Sequence, residues 1–222
     1  MSGDNRNDIL KLVAAISMLL DHLGAVFFQH YIIFRIIGRI AFPIFAYYIA
    51  SGFRQTSNYK KYIIRMIFFT FLTQIPFSFF AYILVGNVLY FNVLFTFVLA
   101  LLVLYMFHKR QYLISAIIVI LPTLMEIYTP IETDYGTYGI LMVLIFYLFK
   151  GNVQNIAVLL LTIGYSSVLG VPFYNNMQIY CILALPFIEY MDKPYIKLPR
   201  YFFYIFYPLH ITGLVLLYYC LL

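Results

Sequence analysis

The run Leu12-Val-Ala-Ala-Ile-Ser-Met-Leu-Leu-Asp21-His22-Leu-Gly24-Ala-Val-Phe-Phe28, with Arg35-Ile-Ile-Gly38-Arg39-Ile-Ala-Phe-Pro43 after it, decides the fold. Its length approaches the roughly 20 apolar residues that cross about 30 Å of hydrocarbon, yet Asp21 and His22 sit in its middle. It follows Arg6 and Lys11 as a signal peptide would, but its internal charge and the lack of a small-residue cleavage site predict a retained first helix. The remainder of the 222-residue chain repeats the pattern: 64% of residues are hydrophobic and only 10% are charged. Too few polar residues remain to clothe a water-facing surface, so the expected class is an all-α, polytopic helical membrane protein forming one integral membrane domain over residues 1–222.

Apolar runs define about nine expected spans, each near the membrane-crossing length: 12–29, 35–51, 64–84, 91–107, 111–129, 136–150, 154–170, 176–190 and 200–221. Eight is the alternative, because the sixth and eighth are short and the eighth holds Pro186, the marks of a partial or re-entrant helix. Basic residues collect at alternate ends of consecutive spans: Arg6 and Lys11; Arg54, Lys60, Lys61 and Arg65; Lys109 and Arg110; Lys150; and Lys193, Lys197 and Arg200. These ends are expected to be cytoplasmic, with the amino terminus inside. The same clustering explains the net charge of +6 as a topology signal and argues against nucleic-acid binding. Cys181 and Cys220 lie in apolar segments without metal-ligand spacing, so packed or lipid-facing thiols are expected and no metal site.

An ionisable group in hydrocarbon costs at least about 2.5–3.5 kcal/mol and therefore needs a partner, a wet cavity or a function. If the first two spans form a hairpin turning near His30, positions equidistant from residue 30 lie at similar depth, which sets Asp21 against Arg39 as a buried ion pair. Arg35 and Arg39 are four apart and share a helix face, with Gly38 removing bulk beside them. Since one carboxylate neutralises one arginine, Arg35 is expected to be free, although both charges are also compatible with merely locking the hairpin. His22 points about 100° away from Asp21 and needs its own reason. Counting ten residues from Leu12 to His22 and ten from Arg200 to His210 puts both imidazoles about 15 Å from the inner interface, where Pro208 opens the last helix. Catalysis and ordinary hydrogen-bonded packing both remain open for these histidines.

Gln74 and Asn92 extend the polar inventory, each also explicable as a packing or capping residue. The outer loop Glu132-Thr-Asp134-Tyr-Gly136-Thr-Tyr-Gly139 is suited to a cationic acceptor, or equally to a helix entry capped by Asp134.

These residues carry a resemblance. Lys11-Leu-Val-Ala-Ala-Ile-Ser-Met18 leads into Asp21-His22-Leu-Gly24, then Arg35-Ile-Ile-Gly38-Arg39-Ile-Ala-Phe-Pro43, Gly52-Phe53-Arg54-Gln-Thr56, Gln74-Ile-Pro76-Phe77, Asp134-Tyr-Gly136 and Phe203-Tyr204-Ile-Phe206-Tyr207-Pro208-Leu-His210. The ordered set resembles the TraX family, membrane proteins typified by the acetylase of conjugative F pilin. The resemblance spans almost the whole chain and implies a bacterial inner-membrane acetyltransferase that moves an acetyl group from cytoplasmic acetyl-CoA to an amine or hydroxyl acceptor, such as the amino terminus of a pilin-like protein or peptide, or a small molecule.

Such a reaction needs a base, oxyanion donors and a dry site. The expected catalytic set is His22, His210, Asp21, Arg35 and Arg39, with either histidine as base; Asp134, Tyr207 and Gln74 are expected at the acceptor, and Arg54, Lys60, Lys61, Arg65, Lys197 and Arg200 at the phosphates of acetyl-CoA. No metal is called for. A small-solute transporter and a noncatalytic membrane assembly factor are the rival classes, since both would retain the same intramembrane charges.

Overall fold

The computed structural model describes residues 8–168, 177–190, 197–199 and 201–221. It is all-α apart from a two-residue bridge between connections. The helices are α1 (Ile9–Val26), α2 (Ile32–Gly38), α3 (Ala41–Gln55), α4 (Tyr59–Val85), α5 (Val93–His108), α6 (Tyr112–Tyr128), α7 (Gly136–Leu148), α8 (Gly151–Val168), α9 (Ala184–Tyr190) and α10 (Phe202–Leu221). A 3-10 turn, Met177–Leu183, runs directly into α9, the partial helix expected from the short eighth run.

Among the described residues, helical stretches long and apolar enough to cross a membrane are Ile9–Val26, Ile32–Gln55, Tyr59–Val85 and Phe202–Leu221. The expectation of about nine spans is therefore met only in part: the other expected segments are helical, but Val93–His108, Tyr112–Tyr128, Gly136–Leu148 and Met177–Tyr190 are shorter apolar elements. The second expected span is broken between α2 and α3, and Pro43 supplies the reason: without an N–H it cannot bond the carbonyl of Arg39 four residues back.

Helices α5 and α7 form the centre. Leu101, Leu104, Ile140, Met142, Val143 and Phe146 are fully buried where α5 meets α7, α3 and α4. The exposed side chains of α4 include Ile64, Phe68, Phe71, Ile75, Phe79 and Tyr82, spaced three or four apart. That spacing draws one continuous apolar stripe on a single helix face, which only lipid can solvate.

On the face opposite the basic residues, Tyr90 pairs with Glu132 and Phe91 with Thr133, tying the α4–α5 connection to the α6–α7 connection. Gln74, expected at the acceptor, instead brackets this region. Its side-chain oxygen accepts from Asn92 Nδ2 at 2.7 Å and from the Asn92 backbone N–H at 3.1 Å, and its Nε2 donates to the Tyr90 carbonyl at 2.9 Å. Asn92 caps α5, accepting from Leu94 N–H at 2.9 Å. Asp134 is not the cap of α7: that position is Tyr135, held at φ +64° with no side-chain cap bond.

Gln74→Leu is expected to strand the Asn92 backbone N–H and the Tyr90 carbonyl, costing about 1–3 kcal/mol. Thermal unfolding in detergent should show a lowered midpoint with an unchanged helical spectrum at low temperature.

Candidate functional site

A hairpin of α1 and α2 builds the first wall of the site. The helices approach so closely that a Cβ on Gly38 would overlap the Asp21 side chain, and one on Gly24 would overlap Phe34. Asp21 then bridges both arginines: Oδ2 lies 2.5 Å from Arg39 Nη2 and Oδ1 lies 3.1 Å from Arg35 Nη1. The expected Asp21–Arg39 pair is present, but Arg35 is not free as expected. A carboxylate has two oxygens, and arginines four apart on one face reach one each. The cluster retains one more cation than anion, and Arg39 Nε and Asp21 Oδ1 make no hydrogen bond.

The histidines expected at equal depth meet. His22 Nδ1 and His210 Nε2 are 2.9 Å apart, and His210 Nδ1 is 2.9 Å from the carbonyl of Phe206 one turn back. A carbonyl only accepts, so His210 Nδ1 carries a proton; with both rings neutral, His210 Nε2 accepts and His22 Nδ1 donates. That leaves His22 Nε2 with a bare lone pair. Phe80 and Phe206 flank the two rings, with centroids 4.9 Å from His22 and 4.8 Å from His210 respectively, and help to keep them dry.

His22 lines a cavity of about 620 Å³ whose walls also carry Asp21, Arg35, Arg39, Asp134, Tyr135 and Tyr207. His210 lies behind His22, outside the lining. The cavity reaches the connection that holds Glu132 and Asp134, on the face away from the basic residues. There the backbone of Asp134 is pinned, its N–H donating to Phe91 at 2.9 Å and its carbonyl accepting from the Thr96 hydroxyl. Tyr135, in the left-handed region that few non-glycine residues adopt, stacks on Phe42 with centroids 3.7 Å apart and lies 5.9 Å from the Arg39 guanidinium. Among the described residues the Asp134 carboxylate accepts no hydrogen bond. Burial pushes it up to about 7, against the pull of Arg39.

Of the expected acceptor residues, Asp134 and Tyr207 line the cavity and Gln74 does not. Glu126, Tyr90, Tyr165 and Gln178 line it without having been singled out. Glu126 had a legible signal, an acid inside the apolar run 111–129; it accepts from the Thr133 hydroxyl at 2.8 Å. The tyrosines gave none, being lost among 23.

The residues expected at the acetyl-CoA phosphates do not converge on one pocket. Arg54 donates to the carbonyls of Phe146, at 2.7 Å, and Tyr147, at 3.2 Å, closing the end of α7. Arg65 lies between Tyr62 and Tyr204, 5.4 Å from each ring centre. Lys60, Lys61 and Lys197 are exposed, and Arg200, like Arg6 and Lys193, lies outside the described residues.

The chain is 28% identical over 234 aligned residues, covering 92% of each protein, to a probable fimbrial assembly protein FimC, serogroup H1, of Dichelobacter nodosus. It is also 38% identical over 71 residues, 32% of this chain and 27% of the relative, to the uncharacterized protein RP591 of Rickettsia prowazekii (strain Madrid E). No solved structure matches it. The family model described as TraX protein matches residues 6–218, nearly the whole chain, and the protein therefore belongs to the TraX family.

Proposed function

We propose that this protein is a membrane-embedded acetyltransferase that moves the acetyl group of acetyl-CoA to an amine, such as the amino terminus of a pilin-like protein or peptide. One observation carries the proposal: the ordered hydrogen bonds from the Phe206 carbonyl through His210 to His22 leave Nε2 unprotonated on a histidine that lines a cavity with two guanidiniums. Family membership and the fimbrial-assembly name of the FimC relative support a pilin-related role.

In this reading the acceptor ammonium enters from the face bearing Asp134, loses a proton to His22 Nε2, and its nitrogen attacks the thioester carbonyl. The new C–N bond forms as the C–S bond breaks; the second amine proton leaves to water through the cavity, and the CoA thiolate takes the proton held by His22 Nε2, which restores the base. Arg35, the more exposed guanidinium, stabilises the oxyanion or carries an acceptor carboxylate, while Arg39 and Asp21 hold the hairpin. His210 positions His22 and accepts from its Nδ1–H. Asp134, when ionised, holds the ammonium, and Tyr207 lines its path. The nine expected segments cross or enter a bacterial inner membrane with the amino terminus in the cytoplasm, where acetyl-CoA is supplied.

A noncatalytic assembly role is the reading that the FimC name favours on its own. The two are separated by purifying the protein and measuring acetyl-CoA-dependent acetylation of a peptide amino terminus. His22→Ala is expected to lower kcat/KM about 10²–10⁴-fold, and His210→Phe by less. A stable wild-type protein that acetylates no acceptor, or a His22→Ala protein with full activity, would overturn the proposal.

Because burial raises Asp134 to about 7, it is mostly protonated at pH 6 and mostly ionised at pH 8. The acceptor KM is therefore expected to fall as pH rises through about 7. Asp134→Asn should flatten that profile and raise KM at the alkaline end.

A further inference from the structure

A second cleft, of about 510 Å³, lies on the basic face, between the end of α3, the start of α8 and the end of α9. Its polar lining includes Ser51, Arg54, Lys150, Gln154, Asn155 and Glu189. Two cations thus face one carboxylate, and that carboxylate is already engaged by Asn155 Nδ2 at 3.0 Å. Gly151 opens the 18-residue α8 at φ +57°, so the helix begins at the cleft with its first N–H groups unsatisfied by intrahelical bonds, a setting that favours anions.

An independent observation points to a ligand. Gln154 is 6% exposed and lines the cleft, yet its side-chain amide makes no hydrogen bond among the described residues. The occluded atoms that lack a partner do not include its amide, so the little surface that Gln154 keeps includes the amide, the group that a ligand in the cleft would meet. An amide N–H beside Arg54 and Lys150, at the start of a helix, suits an oxyanion with several oxygens. Arg54 Nη1 is spent on the end of α7, which fixes the guanidinium rather than removing its charge.

We propose that this cleft binds the phosphate-bearing end of a soluble ligand that reaches the protein from its basic face. Under the acetyl-transfer reading, on which the ligand's identity rests, that ligand is acetyl-CoA. Helix α3 contributes to both sites, Phe42 and Phe45 to the outer cavity and Tyr47 and Ser51 to the cleft. Phe45 and Tyr47 are separated by about 3 Å of helical rise, so the two sites lie at neighbouring heights on different sides of α3.

The test measures equilibrium binding of two probes, inorganic pyrophosphate and desulfo-CoA, to the full chain in detergent. Gln154→Leu and Lys150→Ala are each expected to weaken both probes about tenfold, while Lys109→Ala, a loss of charge on the same face outside the cleft, leaves them unchanged. Lys150 is on the surface, so its variant keeps the test informative should Gln154→Leu fold poorly. Pyrophosphate binding that depends on Gln154 and Lys150, without desulfo-CoA binding, would uphold the phosphate site and remove acetyl-CoA as its ligand. Desulfo-CoA binding unaffected by either variant would overturn the site and leave the transferase reading intact. No binding of either probe at millimolar concentration would overturn both. Repeating the pyrophosphate titration in nanodiscs of phosphatidylglycerol and of phosphatidylcholine separates the remaining source: loss of binding in the first alone would assign the cleft to a lipid headgroup and overturn the soluble ligand.

Discussion

A carboxylate buried among apolar helices is tolerable only when cations and hydrogen-bond donors replace the water it has lost, and at Asp21 two guanidiniums do so. The contact constrains much else. It requires α1 and α2 to lie close enough that only glycine fits at position 38, and it draws Arg39 to the point where Pro43 has already loosened the helix. With α1 fixed in rotation and height, His22 is committed to the neighbouring side of the helix, toward α10. Removing the carboxylate would leave both guanidiniums uncompensated in a largely apolar surround, a change of the kind that costs about 3–5 kcal/mol. An ion cluster of this sort therefore defines one arrangement of the hairpin more than it adds to stability.

Acidic and basic residues divide the cavity wall. Glu126, Glu132 and Asp134 line it from the end of α6 and the α6–α7 connection, whereas Arg35 and Arg39 line it from the α1–α2 hairpin, beside a histidine pair wedged against Phe80 and Phe206. An ammonium group meets favourable charge at the acidic wall and loses it beside the guanidiniums, which promotes release of its proton to an imidazole. The opposite face carries the scattered lysines and arginines and the cleft at the start of α8. Under the proposed acetyl transfer, donor and acceptor approach from opposite faces, a division that suits a reaction joining a cytoplasmic metabolite to a substrate on the other side of a membrane.

Short-range geometry was legible in the sequence. Equidistance from His30 found the Asp21–Arg39 pair because a hairpin leaves little freedom of register, and counting helical rise put His22 and His210 at equal depth because both helices start from the same face, though not that the rings meet. Counting charges misled at Arg35, since a carboxylate shared between two forks needs the actual helix spacing to be recognised. Gln74 was assigned by its polarity alone; its commitment to Asn92 and Tyr90 depends on a turn between α4 and α5 that no periodicity encodes. The basic residues were legible as markers of one face but not as a binding site. Lysines and arginines at helix ends serve topology first, and Arg54 and Arg65 are drawn into helix-end and aromatic contacts. Gln154 was invisible for the opposite reason: one amide beside Asn152 and Asn155 at the start of a helix becomes significant only when its burial and lack of a partner are known.

The direction of the histidine chain is the central claim, because it makes His22 the base and His210 its support. The most direct measurement is nitrogen NMR of protein carrying ¹⁵N-labelled histidine in lipid bilayers at neutral pH, with His22 and His210 assigned by single substitution among the chain's 4 histidines. The account predicts that both rings are neutral and protonated at Nδ1, with an unprotonated Nε2 on His22 and a coupling across the His22 Nδ1 to His210 Nε2 hydrogen bond. A proton on His22 Nε2, or two uncoupled rings, would contradict it.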